Sequence, residues 1–270
     1  FSERIKALHQ ASSADRWAEG DTLSLRRLVD QLSRAADAVA YAHTLDVTHR
    51  DLKPENLLLG AHGEVWVIDW GLAGVKGVND EQLGGTPLYM PPEQALQRPM
   101  ELLTAPTIDV FSLGATLYEL LMGAPPYRGA TLSEVMSRVT RGELPQLSVD
   151  VTHKRPLPVE LVELCQEAML YEPAQRPRDA SVFSARLKAW LDGAQRRAKA
   201  QALVIEARSL MSEALSLSER SAALRREAEQ GLKALPKSAS PEQKATFWRL
   251  QERAERDEVS AARLEADRHA

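Results

Sequence analysis

The stretch His49-Arg50-Asp51-Leu52-Lys53-Pro54-Glu55-Asn56 places an imidazole, two cations, two carboxylates and an amide within eight residues. A lone Asp or Asn in a loop is usually a turn or cap residue. Here the neighbouring stretches give the group a setting. Upstream, Ser24 opens a helix in which Leu25, Leu28, Val29, Leu32, Ala36, Val39 and Ala40 recur at helical spacing and form one apolar face that runs to about His43. Val47-Thr48-His49 then reads as a short strand. Downstream, Asn56-Leu57-Leu58-Leu59 and Val65-Trp66-Val67-Ile68 are two short apolar runs separated by Gly60-Ala61-His62-Gly63, which predicts a hairpin. Asp69-Trp70-Gly71 follows it directly.

In this order the stretches resemble the catalytic loop and the metal-binding motif of protein kinases, and the ending Lys53-Pro54-Glu55-Asn56 resembles the serine/threonine branch. Gly84-Gly85-Thr86-Pro87-Leu88-Tyr89-Met90-Pro91-Pro92-Glu93 resembles the end of a kinase activation segment, with Pro91-Pro92-Glu93 where the family has Ala-Pro-Glu. Trp70 stands where the family has Phe in Asp-Phe-Gly. The resemblance spans residues 24–191. It implies a mainly α fold: a kinase-like C-terminal lobe over residues 1–193, with a short β-hairpin at the catalytic site.

The resemblance also implies roles. Asp51 accepts or orients the hydroxyl proton of a substrate Ser or Thr, and Lys53 sits against the transferring phosphate. Asn56 and Asp69 hold Mg2+ on ATP, with the hard oxygen ligands that suit this ion. Glu55, Leu58 and Ile68 lie at the nucleotide, Leu58 and Ile68 as an apolar floor or as plain hairpin core. His49 packs under the loop and is held by Asp109. Arg50 meets a phosphate on the activation segment where there is one. Thr86 bonds toward Asp51 and Lys53. Glu93 and Arg176 form a buried ion pair, the alternative being two surface charges. Glu119 either faces basic substrates or is a helix-surface charge. From spacing alone, Asp109 is the N-cap of the helix that opens with Asp109-Val110-Phe111-Ser112-Leu113-Gly114.

The family places a Gly-rich loop, a strand lysine and a helix glutamate ahead of the catalytic loop. Residues 1–48 hold one glycine, Gly20, and the chain opens on Phe1. The expectation is a fragment whose nucleotide-covering lobe is missing and which is inactive alone. The partners expected are a protein substrate, ATP, that missing lobe and further domains. The competing expectation is a non-catalytic, kinase-like docking module.

Composition narrows the rest. The chain has 270 residues, 44% of them hydrophobic, and a net charge of −4. The acidic excess lies in residues 1–194, while the remainder is mildly basic, which fits a solvated helix surface rather than a nucleic-acid site. One cysteine, Cys165, excludes a disulfide framework within the chain and suits a reducing cytoplasm. The longest apolar stretch, Val110 to Pro126, is broken by Glu119 and is too short to span a bilayer.

Further helices are expected over Thr131–Arg141, over Pro158–Leu170, and from a cap at Asp179 to about Leu191, with Gln10–Asp21 a polar loop. Residues 194–270 read as a separate helical hairpin turning at Lys237–Pro241. Its stripe is Leu203, Ala207, Leu210, Ala214 and Leu217 against Phe247, Leu250, Ala254 and Leu264, too irregular and Ala-rich for a regular coiled coil.

Overall fold

The computed structural model describes residues 1–10, 24–78, 84–144, 147 and 157–267. They divide into two units, Phe1–Gly193 and Ala194–Ala270. Gln10, expected to open a polar loop, instead ends the first helix, Ser2–Gln10, and residues 11–21 of that loop lie outside the described residues.

In the first unit, helix α1 (Ser2–Gln10) is followed by α2 (Leu25–Thr44), whose N-cap Ser24 accepts from the Arg27 N–H. Leu28, Val29, Leu32, Ala36 and Val39 are fully buried along one face of α2. Each such large aliphatic side chain contributes about 1.5–3 kcal/mol on burial. That face packs against α5 (Thr107–Met122), the hub of the unit. Every residue of α5 from Ile108 to Leu121 is buried. A helix apolar all round has to lie in the interior. α6 (Leu132–Arg141) is capped by Thr131, and α7 (Val159–Ala168) packs on α5.

Among the described residues, four short strands flank the stretch from His49 to Asn56. β1 (Val47–Thr48) pairs antiparallel with β4 (Gly74–Val75), and β2 (Leu57–Leu59) with β3 (Val65–Val67). In the second pair Leu58 lies opposite Trp66. Short helices α3 (Pro92–Ala95) and α4 (Met100–Leu103) precede α5.

Helix α8 (Ala180–Ala234) corrects one expectation. It starts at Asp179, whose Oδ1 accepts from the N–H groups of Ser181 and Val182, but it does not stop near Leu191. It continues through Gly193 without a break. One interior glycine costs about 1 kcal/mol relative to Ala, and the flanking Ala, Gln, Arg and Lys residues are strong helix formers that offset it.

In the second unit, α9 (Pro241–Asp267) runs antiparallel to the end of α8. Arg220 makes a two-pronged contact with Asp257 at 2.6 Å, and Ser221 Oγ donates to the Ala254 carbonyl at 2.9 Å. The seam is built from small residues: Ala214, Ala228, Ala254 and Ala261 are buried. Leu203, placed on the apolar stripe by its spacing, is instead exposed. Helices that meet through alanines approach closely and leave bulky residues outside.

Candidate active site

β1 delivers the chain into the loop, and one buried carboxylate anchors it there. Asp109 Oδ2 accepts the His49 N–H at 2.8 Å, and Oδ1 accepts the Arg50 N–H at 2.9 Å. The same Oδ2 lies 2.9 Å from His43 Nε2 at the end of α2. Asp109 is therefore not the N-cap that its spacing suggests. Pro106 occupies the cap, and Asp109 stands in the first turn of α5. Three donors compensate a carboxylate that is fully buried.

The His49 ring is fixed on two sides. The Asp51 N–H donates to Nδ1, and Nε2 lies 2.9 Å from the Ile68 carbonyl. These partners require a neutral ring with its proton on Nε2. Trp70 covers it at 4.6 Å between centroids. Arg50 is buried. Its Nε donates to the Leu72 carbonyl at 2.5 Å, and its guanidinium lies so close to Gly74 that a Cβ there would stand 2.8 Å from Cζ.

Asp51 is the centre of the next layer. Its Oδ1 accepts the Thr86 N–H at 2.7 Å, and its Oδ2 accepts Lys53 Nζ at 2.7 Å. Lys53 Nζ also donates to Thr86 Oγ1 at 2.7 Å. Asn56 Nδ2 donates to the Asp51 carbonyl at 2.8 Å. Asp51, Lys53, Asn56 and Thr86 thus form one bonded cluster, although Thr86 is remote in sequence.

The β2–β3 hairpin carries the remaining candidates. The Ile68 N–H donates to the Asn56 carbonyl at 3.0 Å, which ties its two ends together. Asp69 follows in the left-handed conformation (φ 63°) and is exposed. Glu55 and Leu58 are exposed and Ile68 is half-buried. Trp66, opposite Leu58, shares its face and is about as exposed, so an aromatic surface lies beside Leu58.

No group of three or more His, Cys, Asp or Glu suited to a metal occurs among the described residues. Two oxygen donors nevertheless fit Mg2+, which keeps several waters and takes the rest of its ligands from phosphate. Asn56 spends its nitrogen on Asp51, which leaves its amide oxygen for a cation. Among the described residues no donor engages the Asp69 carboxylate.

Two structural pairs frame the site. Arg176 meets Glu93 with Nη1 at 2.6 Å and Nη2 at 2.9 Å. Its remaining donors reach the carbonyls of Leu170, Thr107 and Tyr171, so all five N–H groups are used. Glu119, expected on a surface, is buried and accepts the Tyr89 hydroxyl at 2.5 Å. Burial raises the pKa of both groups above their ordinary values. α5 is enclosed on every side, so its one glutamate has no route to solvent.

A family model for the protein kinase domain matches residues 5–187. The chain belongs to the protein kinase family. Aurora kinase C of Mus musculus is 33% identical over 162 residues, 60% of this chain and 55% of that protein. PknD of Protochlamydia amoebophila, a serine/threonine-protein kinase, is 31% identical over 195 residues, covering 64% of this chain and 19% of that protein. PknA of Mycobacterium tuberculosis, also a serine/threonine-protein kinase, is 34% identical over 166 residues, covering 60% and 36%. The chain spans about half the length of one relative and less of the others. Among the described residues no helix is long and apolar enough to cross a membrane.

Two residues of this kinase site carried no sequence signal. His43 stands in the last turn of α2, and Gln94 follows Glu93, with no motif or spacing to mark either.

Proposed function

We propose that this chain carries the catalytic-loop lobe of an ATP- and Mg2+-dependent protein serine/threonine kinase. The bonded cluster of Asp51, Lys53, Asn56 and Thr86 carries the reading. Phosphoryl transfer needs positioning and charge neutralisation more than covalent help from the protein. Asp51 receives the proton of a substrate Ser or Thr hydroxyl as its oxygen bonds to the γ-phosphorus, and the bond to the β-bridging oxygen breaks to release ADP. Lys53 orients Asp51 and offsets charge on the phosphoryl oxygens. Asn56 and Asp69 would hold Mg2+, which neutralises the phosphates when bound. Leu58 and Ile68 would lie beneath the base, with Glu55 at the rim.

Residues 1–193 are the kinase lobe in this proposal, and residues 194–270 a helical spacer or interaction arm. The second reading is a kinase-like docking module that holds partners without catalysis. A polypeptide of residues 1–270 is expected to bind ATP weakly and to transfer no phosphate, because its triphosphate contacts come from one side. Radiolabelled ATP with a basic protein substrate tests both readings. The full-length gene product should label the substrate and its Asp51→Asn variant should not. Absence of labelling by the full-length product would leave the docking reading.

A further inference from the structure

Gln94 lies in α3 and is buried. Its Nε2 donates to two carbonyls from different parts of the chain, Arg50 O at 2.7 Å and Gly84 O at 2.6 Å. The amide orientation follows from this pairing, since the atom facing two carbonyl oxygens has to be the donor. Among the described residues its buried Oε1 has no partner. The side chain holds its place although one acceptor goes unsatisfied.

The carbonyl taken from the catalytic loop belongs to a strained residue. Arg50 has φ 64°, a left-handed conformation that a non-glycine residue keeps only where its surroundings enforce it. Asp109 Oδ1 grips the N–H of Arg50, and Gln94 grips its C=O. The next residue is Asp51. The other carbonyl begins the strip Gly84-Gly85-Thr86. Gly85 has φ 134°, which suits glycine, and a Cβ there would stand 2.7 Å from Gln94 Nε2 and 3.4 Å from the Arg50 carbonyl. The bare backbone of Gly85 is what lets the strip lie against the loop.

We propose that Gln94 is a positioning residue: its amide clasps the strained Arg50 peptide to Gly84 and so sets Asp51 against Thr86 without a phosphate. Residues 72–85 contain no Ser, Thr or Tyr, so no hydroxyl there offers a phosphate for that task. The catalytic consequence rests on the kinase reading above, whereas the clasp itself does not.

Hydrogen exchange on residues 1–270 reads the clasp without catalysis. The reporter is the Thr86 N–H, bound to Asp51 Oδ1. Gln94→Met keeps the length of the side chain and removes both donors. Thr86 exchange should then quicken about tenfold or more, since its opening free energy falls with the lost contacts. In the full-length gene product kcat should fall about tenfold or more while KM for ATP stays within about twofold. Gln94→Glu, which keeps the shape and turns an acceptor toward two carbonyls, should act in the same direction and serves if the first variant folds poorly. Unchanged Thr86 exchange in both variants overturns the clasp. Faster exchange with unchanged kcat overturns the positioning role. A wild-type product without kinase activity refutes the kinase reading, and the exchange data then still decide the clasp.

Discussion

Thr86 donates its backbone N–H to Asp51 Oδ1 at 2.7 Å across 35 residues of chain. The strip at Thr86 is therefore seated on the carboxylate proposed as catalytic, and residues 72–85 hold no Ser, Thr or Tyr to carry a phosphate. The full-length kinase is expected to be active without activation-segment phosphorylation. Phosphopeptide mapping of the active protein, with and without phosphatase, checks this. Stoichiometric phosphate on Thr86 that raises activity would contradict it, since Thr86 Oγ1 is bonded to Lys53.

Asp51 and Asp69 should separate in their effects. Asp51→Asn should lower kcat by about 10²–10⁴-fold, the usual weight of a positioned acid or base. Nucleotide affinity should stay within about twofold, because the proposed role sets Asp51 at the hydroxyl rather than at the metal. Asp69→Asn should weaken Mg2+-nucleotide binding itself. Calorimetric titration with Mg2+-ADP distinguishes them, and equal losses of affinity would refute the assignment.

Glu93→Ala should destabilise the first unit by about 3–5 kcal/mol, because it strands a fully buried guanidinium. Asp30→Ala breaks the exposed Arg34–Asp30 pair and should cost under about 1 kcal/mol. Urea unfolding midpoints of the two variants give the comparison.

Tyr89→Phe should produce a pH-dependent loss of stability. Burial holds the Glu119 pKa above its ordinary 4.5, and the Tyr89 hydroxyl is the partner that pulls it back. A carboxyl raised in the folded state contributes stability that is complete below its unfolded pKa and is lost as pH rises through the folded one. Without the hydroxyl the folded value climbs further. The cost should be small at about pH 4 and reach about 1–3 kcal/mol at neutral pH, the penalty of an unsatisfied buried group. A cost independent of pH in urea unfolding would count against it.

The sequence displayed the parts that depend on local order. Ser24 and the spacing of Leu28, Leu32 and Val39 define α2, and the glycines between two apolar runs define the hairpin. Other features depend on what folding brings near. Asp109 has the look of a cap, and only the approach of His49 and Arg50 shows why its carboxylate is needed elsewhere. Glu119 reads as a surface charge until α5 is seen to be enclosed on all sides. The helix capped by Asp179 reads as ending near Leu191, yet helix formers on both sides of Gly193 carry α8 onward. Gln94 has no pattern at all, since its partners are two carbonyl oxygens that every residue possesses.

Asp109 holds three donors, and all three belong to the protein itself. A survey that scores variants by growth or phosphotransfer would rank position 109 beside Asp51 and suggest a second catalytic carboxylate. Cellular abundance tells the two apart. Asp51→Asn should accumulate like the parent, whereas Asp109→Asn, with the loop and the end of α2 both slackened, should be cleared by proteolysis. A residue of this kind is indispensable to the chemistry in the way a foundation is to a lens: its loss blurs everything above it while contributing nothing to the image.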